Sequence, residues 1–320
     1  MSGFRPLTRA DLPALLNLLL AANRADGNST SETLVDLEHE FEDAWSDPAH
    51  DAIVLPSPDG ALLGFGRVFV NPSPNPDPDS AAYLAYSVDP IARETGLEEA
   101  LLDWLEARGR ERLRGSLTRR LRIARADHLT DEIDRLQRRG YRPIRYYFRM
   151  RRDVAPPLPE AMLPNEITVR TFTPEWSSAL WSAHAAAFAD HWGYVIETPA
   201  EFEEHVLGAG WFRSDLTLLA CAGPDVVAYS INRVPAEENA RTGSPEGVIG
   251  LLGTQRPWRG RGLARALIQE SLRRFAAAGL QHAALTVDSE NTTGALGLYE
   301  RLGFVVDKRV QALDLVLSDL

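Results

Sequence analysis

The sequence contains a single cysteine, Cys221, among its 320 residues. One cysteine excludes an internal disulfide and a cysteine-rich metal site, and it fits a reducing compartment, so we expect a cytoplasmic protein without a bound metal. The sequence also lacks any apolar run near the roughly 20 residues that a membrane-spanning helix needs. Its opening residues do not resemble a signal peptide. We therefore expect no association with a membrane.

The chain has little positive charge relative to its negative charge, since 34 lysines and arginines stand against 45 acidic residues and the formal net charge is −11. Proteins that bind DNA or RNA normally carry a basic footprint, so we expect no nucleic-acid partner. One segment departs from this balance, because eight arginines lie between Arg108 and Arg125. They fit either a solvated helix end with an edge strand or a docking patch for an acidic partner.

The length suits two domains, each able to bury its own core. A proline-rich stretch at 154–164, with no clear period, divides the chain near its middle. We predict an N-terminal domain at 1–153, a linker at 154–164 and a C-terminal domain at 165–320.

The two halves show the same order of helix and strand patterns. The first half has a strand and helix near 4–8 and 10–22, and the second has them near 167–170 and 175–187. Further strands follow at 51–55, 62–70 and 81–88 in the first half and at 216–221, 226–234 and 248–252 in the second. The second half continues with a helix at 263–278, a strand at 282–287, a short helix at 293–302 and a strand pair at 304–317. Strands that alternate with helices predict an α/β fold.

An internal repeat explains this parallel. Residues 93–102 match residues 259–268 at the arginine, the second glycine, the leucine, the alanine and the next leucine. Residues 138–141 likewise match residues 301–304. The chain therefore looks like a tandem duplication of one fold.

The turn from Arg259 to Ala264 is the most informative segment. It follows a strand that ends near Gly253 and precedes a helix from Leu263, whose first N–H groups have no partner within the helix and attract anions. Gly260 and Gly262 let the backbone approach a bulky anion, and Arg259 and Arg261 add positive charge. A pyrophosphate fits this pattern, although a plain glycine-rich turn remains the alternative. The turn is neither a Walker loop nor a dinucleotide fingerprint, because Arg265 stands where the third glycine would be.

A resemblance to a known family rests on two motifs. The pattern Arg-x-x-Gly-x-Ala from Arg259 to Ala264 is followed by Asn-x-x-x-Ala-x-x-x-Tyr-x-x-x-Gly-Phe from Asn291 to Phe304. Together they resemble the GNAT acyltransferases, well over about 165–320 and weakly over 1–153. The resemblance implies two tandem GNAT folds, each a mixed, mostly antiparallel, twisted sheet flanked by helices. It also implies an N-acetyltransferase that uses acetyl-CoA and a small-molecule amine, as a monomer or homodimer.

The resemblance also assigns site residues. Tyr299 matches the tyrosine that protonates the leaving thiolate, although a core aromatic is the alternative. The positions that match coenzyme-binding ones are Leu252, Gly253, Thr254, Arg259, Gly260, Arg261, Gly262, Leu263, Ala264, Asn291 and Ala295, with Tyr299 itself.

The general base is the open question of the site. Many family members carry a carboxylate on the strand before the turn, but residues 247–252 contain no acid and no histidine. The candidates are Glu246, Asp288 and His191, which lies in the segment 190–193, and water is a further possibility. The acidic composition weakly favours a cationic acceptor.

The N-terminal half departs further from the family pattern. Glu94 stands where Gly260 stands, Glu98 stands where Ala264 stands, and Leu136 takes the place of Tyr299. Two carboxylates would repel a pyrophosphate, so we expect a degenerate domain that neither binds coenzyme nor catalyses. Two alternatives stay open for the whole chain. One is a non-catalytic acyl-CoA sensor, and the other is an acyltransferase with a peptide or protein amine, or with a carrier-protein donor docked at the Arg108–Arg125 patch.

Overall fold

The computed structural model describes residues 3–28, 32–42, 47–70, 81–114, 119–156, 158, 160–189, 191, 197–291 and 294–317. Contacts divide the chain into unit 1, Met1–Tyr146 with Arg309–Leu320, and unit 2, Tyr147–Lys308. Unit 1 ends within the strand at Arg142–Asp153, before the predicted linker at 154–164, and it includes the last twelve residues of the chain, which were predicted to belong to the C-terminal domain. Among the described residues, no helix combines the length and apolar character needed to span a bilayer.

Unit 1 contains one mixed sheet with helices. The strands β1 to β4 pair antiparallel in sequence order, β4 pairs parallel with β5, and β5 pairs antiparallel with the C-terminal strand β12. The strands are β1 (Arg5–Pro6), β2 (Ala52–Pro56), β3 (Leu62–Val70), β4 (Ala81–Val88), β5 (Arg120–Ala126) and residues 309–316 of β12 (Val305–Val316), and β6 (Arg142–Asp153) begins here. The helices are α1 (Leu12–Ala25), α2 (Leu34–Glu42), α3 (Pro48–Asp51), α4 (Leu97–Arg112) and α5 (Thr130–Arg138).

Unit 2 repeats this order. The strands β7 to β10 pair antiparallel in sequence order, β10 pairs parallel with β11, and β11 pairs antiparallel with residues 147–153 of β6. The strands are β7 (Thr168–Thr171), β8 (Leu218–Ala222), β9 (Asp225–Arg233), β10 (Glu246–Thr254) and β11 (His282–Asp288). The helices are α6 (Ser177–Phe188), α7 (Pro199–Phe202), α8 (Ala236–Thr242), α9 (Leu263–Ala277) and α10 (Ala295–Arg301).

The predicted α/β fold with mixed, mostly antiparallel sheets is confirmed. The strands predicted at 62–70 and 81–88 coincide with β3 and β4, and the helix predicted at 263–278 is α9. One prediction is wrong, because the strand pair expected at 304–317 is the single strand β12. Its residues include no glycine, proline or asparagine, so no tight turn reverses the chain there.

Helices cover both faces of the sheet in unit 2. On one face α9 buries Leu272 and Phe275 in an apolar cluster, and Gly247 is needed below it because a Cβ there would lie 2.8 Å from the Phe275 ring. On the other face α6 buries Leu180 and Ala183 in a second cluster. Each large apolar side chain that is fully buried contributes about 1.5–3 kcal/mol. This packing holds β10 firmly between two helix layers.

The two units differ in the aromatic residue that follows the glycine after α5 in unit 1 and after α10 in unit 2. Tyr141 follows Gly140 in unit 1, and Phe304 follows Gly303 in unit 2; both aromatic rings are buried. The Tyr141 hydroxyl is buried without a hydrogen-bond partner in the described structure, and burial raises its pKa. A buried polar group without a partner destabilises the folded state.

We predict that Tyr141→Phe raises the free energy of unfolding by about 1 kcal/mol, because it removes an unsatisfied hydroxyl and keeps the ring. Urea denaturation measures the change. The reverse substitution at the matched position, Phe304→Tyr, should lower it. A loss of stability in Tyr141→Phe would show that the hydroxyl is satisfied in solution.

Candidate functional site

The strands β10 and β11 part in the middle of the sheet of unit 2. They pair over Glu246–Ile249 and His282–Leu285, after which β10 continues to Thr254 and β11 to Asp288. A bulge at the level of Gly250 marks the change. Beyond it, the edge of β10 that faces β11 has no strand partner among the described residues. Its main-chain N–H and C=O groups can therefore bind an extended ligand.

The surface of the sheet is open at the same level. Gly250 and Thr286 are exposed although both lie on interior strands of unit 2. Leu252 and Leu285 lie on the α9 side of the sheet, where they pack in the apolar cluster with Phe275. The opening between β10 and β11 therefore reaches solvent on the face of the sheet opposite α9.

The predicted anion-binding turn lies directly after β10. A 3₁₀ turn at Arg256–Trp258 leads into Gly260 at φ 77° and Gly262 at φ 82°, and Gly262 is the N-cap of α9. Both values lie in the left-handed region, which favours glycine. The first N–H groups of α9 have no acceptor within the helix, so the turn has the geometry expected for binding a phosphate.

The two arginines of the turn have different surroundings. The Arg259 guanidinium donates to the carbonyl of Thr254 at 3.2 Å and to that of Ala187 at 2.9 Å, so it joins the end of β10 to α6. Arg261 stacks on the Trp258 ring at 4.6 Å, and its side chain is half exposed. The Arg261 Nη1 also lies 3.7 Å from the carboxylate of Glu166, whose side chain is about half exposed.

Tyr299 lies in the apolar cluster that contains Leu252 of β10 and Val287 of β11, the two strands that part. Its ring is buried and makes an edge contact with Phe304, with ring centroids 6.2 Å apart. Within the described residues no protein group forms a hydrogen bond with its hydroxyl. Burial raises the pKa of Tyr299 to about 12, so the phenol keeps its proton at neutral pH.

Asp288 and Asn291 form the turn that follows β11. A side-chain oxygen of Asp288 accepts the N–H of Glu290 at 2.9 Å, and its carbonyl accepts the N–H of Asn291 at 3.1 Å. Asp288 lies two residues after the exposed Thr286, so both side chains lie on the open face. Ala295 is the first residue of α10.

The other two candidate bases have different surroundings. Glu246 is buried at the start of β10, where Arg149 and Arg151 both donate to its carboxylate. It lies four residues before Gly250, about 13 Å along the strand. His191 follows α6, and its ring lies 4.3 Å from that of Phe188. The rest of the segment 190–193, residues 190, 192 and 193, lies outside the described residues.

A buried pair of side chains beneath β10 was not predicted from the sequence. The His184 Nδ1 of α6 lies 2.5 Å from the Tyr229 hydroxyl, and both side chains are buried. Burial lowers the pKa of His184 to about 4, with the charge of His191 as a second cause. The Tyr229 ring lies against Gly253, where a Cβ would approach within 2.5 Å. The apolar face of α6, which includes His184, was the available signal.

Unit 1 contains the same parting of strands, but its own side chains fill it. The parallel pairing of β4 and β5 ends at Leu84 and Ile123. The Arg125 guanidinium lies 4.1 Å above the Tyr86 ring, with its Nη2 3.5 Å from the Tyr86 carbonyl and its Nε bonded to Glu132 at 2.6 Å. The carbonyl that a ligand would contact here already has an internal donor.

The turn of unit 1 also contains its own anion. Glu98 is buried in the first turn of α4, and its carboxylate accepts the N–H of Glu94 at 3.4 Å. Glu94 itself is at φ 62°, the one non-glycine residue of the described chain in the left-handed region. The hydrocarbon side chain of Leu136 is fully buried at the position that matches Tyr299.

The arginine-rich segment is largely engaged within unit 1. Arg108 and Arg112 pair with Asp51, Arg122 forms a two-bond pair with Asp314, and Arg125 pairs with Glu132. Within the described residues, at least four of the eight arginines thus have carboxylate partners in the unit, which weakens the interpretation of the segment as a docking patch.

Known proteins resemble the chain over most of its length. A family model described as Acetyltransferase (GNAT) family matches residues 164–304. The mycothiol acetyltransferase of Streptomyces bingchenggensis is 32% identical over 79% of this chain and 77% of its own. That of Geodermatophilus obscurus is 32% identical over 93% and 92%.

Solved structures show the same architecture. A GCN5-related N-acetyltransferase from Sphaerobacter thermophilus has a TM-score of 0.73 at 26% identity and covers 99% of this chain and 96% of its own. A tandem GNAT protein from the clavulanic acid biosynthesis pathway has a TM-score of 0.70 at 18% identity, covers 99% of both chains and shows the fold alone. The predicted tandem arrangement of two such folds is confirmed.

We predict that Glu94→Gly raises the free energy of unfolding by about 1 kcal/mol, because glycine adopts the left-handed conformation without the steric cost that Glu94 bears. Urea denaturation measures it, and Glu99→Gly, inside α4, is the control that should destabilise. A destabilised Glu94→Gly variant would mean that the glutamate side chain supports the turn.

Proposed function

Because the chain belongs to the GNAT family of N-acetyltransferases, we propose that unit 2 transfers the acetyl group of acetyl-CoA to the amine of a small molecule. The observation that carries this proposal is the parting of β10 and β11 at Gly250, directly before the glycine turn at the start of α9. An extended chain with a pyrophosphate at one end fits an open strand edge followed by an anion-binding turn.

Two sets of described residues can bind acetyl-CoA. The main chain of Leu252, Gly253 and Thr254 can form hydrogen bonds with the amides of the pantetheine arm. The N–H groups of Gly260–Ala264 and the Arg261 guanidinium can hold the pyrophosphate. Asn291 and Ala295, in the turn before α10 and at its first residue, are the remaining predicted contacts.

The proposed reaction forms a C–N bond and breaks the C–S bond of the thioester. The lone pair of the neutral amine attacks the carbonyl carbon, and a main-chain N–H at the β10 bulge, near Leu252, stabilises the oxyanion. When the intermediate collapses, Tyr299 gives its proton to the departing sulfur. The amine loses one proton to a base. The products are an N-acetylated amine and free coenzyme A.

Asp288 is the best placed of the three candidate bases. It lies on the open face near the opening, whereas Glu246 is held by Arg149 and Arg151 and is about 13 Å along β10 from Gly250. His191 is packed beside Phe188 at the end of α6. We propose that Asp288 accepts the amine proton, directly or through water.

The name of the relatives, mycothiol acetyltransferase, supports a small-molecule acceptor. The proposal includes a catalytic C-terminal unit and a structural N-terminal unit whose coenzyme site is closed by Arg125 and Glu98. A reducing, cytoplasmic location and a monomeric or homodimeric state stay predictions.

A non-catalytic acyl-CoA sensor is the second candidate. Two observations favour it: residues 247–252 contain no acid and no histidine, and Arg149 and Arg151 pair with Glu246. The protonated phenol of Tyr299 beside the opening favours the enzyme.

We predict that Tyr299→Phe lowers kcat about 10²-fold and leaves the affinity for acetyl-CoA nearly unchanged, because it removes the proton donor and keeps the packing. Release of free thiol against a panel of amines measures kcat, and calorimetry measures the affinity. The matched control is Tyr141→Phe in unit 1, which should leave kcat unchanged. If acetyl-CoA binds but free thiol is released with none of the amines, the sensor hypothesis is correct. If Tyr299→Phe retains full kcat, another group protonates the sulfur.

A further inference from the structure

Arg259 belongs to the turn that we propose binds the pyrophosphate, but its side chain bonds to the protein main chain. Its Nε donates to the carbonyl of Thr254 at 3.2 Å, and its Nη2 donates to that of Ala187 at 2.9 Å. Thr254 is the last residue of β10, and Ala187 lies in the last turn of α6. Two protein carbonyls thus occupy the edge of the guanidinium that could otherwise form two parallel bonds with a phosphate.

The Ala187 carbonyl lies at a helix end that attracts a cation. The last four C=O groups of a helix have no N–H partner within it, and this end carries a partial negative charge. The sequence of α6 includes no lysine and no arginine, so the helix itself supplies no permanent cation there. Arg259 supplies this charge from the turn, and it therefore holds the ends of α6 and β10 together.

Unit 1 contains a matching link. Arg93 takes the place of Arg259 in the internal repeat, and both directly follow a short 3₁₀ turn. Their backbones are nearly the same, with φ −66° and ψ 155° at Arg93 and φ −65° and ψ 153° at Arg259. The Arg93 Nη1 donates to the carboxylate of Asp26 at 2.6 Å, and Asp26 is the C-cap of α1. In each unit this arginine therefore joins the turn to the end of the first long helix.

The link in unit 1 lies beside a turn that contains carboxylates of its own. Glu98 is buried in the first turn of α4, and its carboxylate accepts the N–H of Glu94. These carboxylates would repel a pyrophosphate, so the link at Arg93 does not depend on a bound coenzyme. The shared geometry indicates the same role for Arg259. Arg261, whose side chain is half exposed, is then the arginine of the turn that binds the pyrophosphate.

We propose that Arg259 is a positioning residue for the transfer reaction and that its side chain is not a ligand of the coenzyme. This inference rests on the proposed function. By joining Thr254 to α6, Arg259 fixes the end of β10, and the main chain at 252–254 holds the pantetheine arm in our proposal. The link therefore sets where the thioester lies relative to Tyr299. A misplacement of about 1 Å between reacting groups can lower the rate by up to about 100-fold.

The test compares acetyl-CoA with S-acetylpantetheine, a donor that has the same thioester and arm but no pyrophosphate. Arg259→Met should lower kcat/KM by the same factor, about 10-fold, with either donor, and with acetyl-CoA the loss should lie in kcat. Arg261→Met should instead raise KM for acetyl-CoA about 10-fold and have little effect with the truncated donor. Arg93→Met, which removes the matched link in unit 1, is the control and should leave kcat unchanged.

Calorimetry with coenzyme A and with pantetheine tests the assignment without turnover. Arg261→Met should weaken the binding of coenzyme A alone, whereas Arg259→Met should change both affinities by the same factor. This result supports the inference even if no acetyl group is transferred, and only the proposed function then fails. A loss in Arg259→Met that disappears with S-acetylpantetheine or pantetheine would show that the guanidinium binds the pyrophosphate. That loss, or an unchanged kcat/KM with both donors in a folded Arg259→Met variant, overturns the inference and leaves the proposed acetyltransferase in place.

Discussion

Parallel pairing between β10 and β11 ends at Ile249 and Leu285, and the proposed coenzyme site of unit 2 depends on where this pairing ends. Beyond the bulge at Gly250, one row of the peptide groups of β10 has no strand partner in the described parts of the chain. Side chains packed on the two faces of the sheet hold β10 in this position. Phe275 of α9 occupies the space above Gly247, and Tyr229, held by His184 of α6, occupies the space below Gly253.

The same constraint has the opposite outcome in unit 1. There β4 and β5 also part, at Leu84 and Ile123, but the opening contains the Arg125 guanidinium and the turn contains the Glu98 carboxylate. Each group has the chemistry of a coenzyme group that would bind at its position. The Arg125 guanidinium donates to the strand carbonyl, and the Glu98 carboxylate is an anion at the start of the helix. Unit 1 thus has the same strand order as unit 2 with protein groups at both places where we propose that unit 2 binds coenzyme, which supports the proposed structural role of unit 1.

Local sequence was enough to predict much of this arrangement. The positive φ values of Gly260 and Gly262 follow from a turn that only glycine adopts easily, and the strands β3 and β4 follow from their composition. The role of Arg259 could not be derived in this way, because its acceptors Thr254 and Ala187 are brought together only by tertiary packing. The pairing of Glu246 with Arg149 and Arg151 was hidden for the same reason, since nearly a hundred residues separate them in sequence. The assignment of 309–320 to unit 1 depends on long-range strand pairing, which no local pattern contains.

The central claim is that the chain has one open coenzyme site, at the parting of β10 and β11 and the turn after it, and one closed copy. Native mass spectrometry of the protein with acetyl-CoA counts the bound equivalents directly. We expect one equivalent for the wild type and none for Gly260→Glu, which gives the turn of unit 2 the residue that unit 1 has at Glu94. Two equivalents on the wild type, or one that persists in a folded Gly260→Glu variant, would contradict the account.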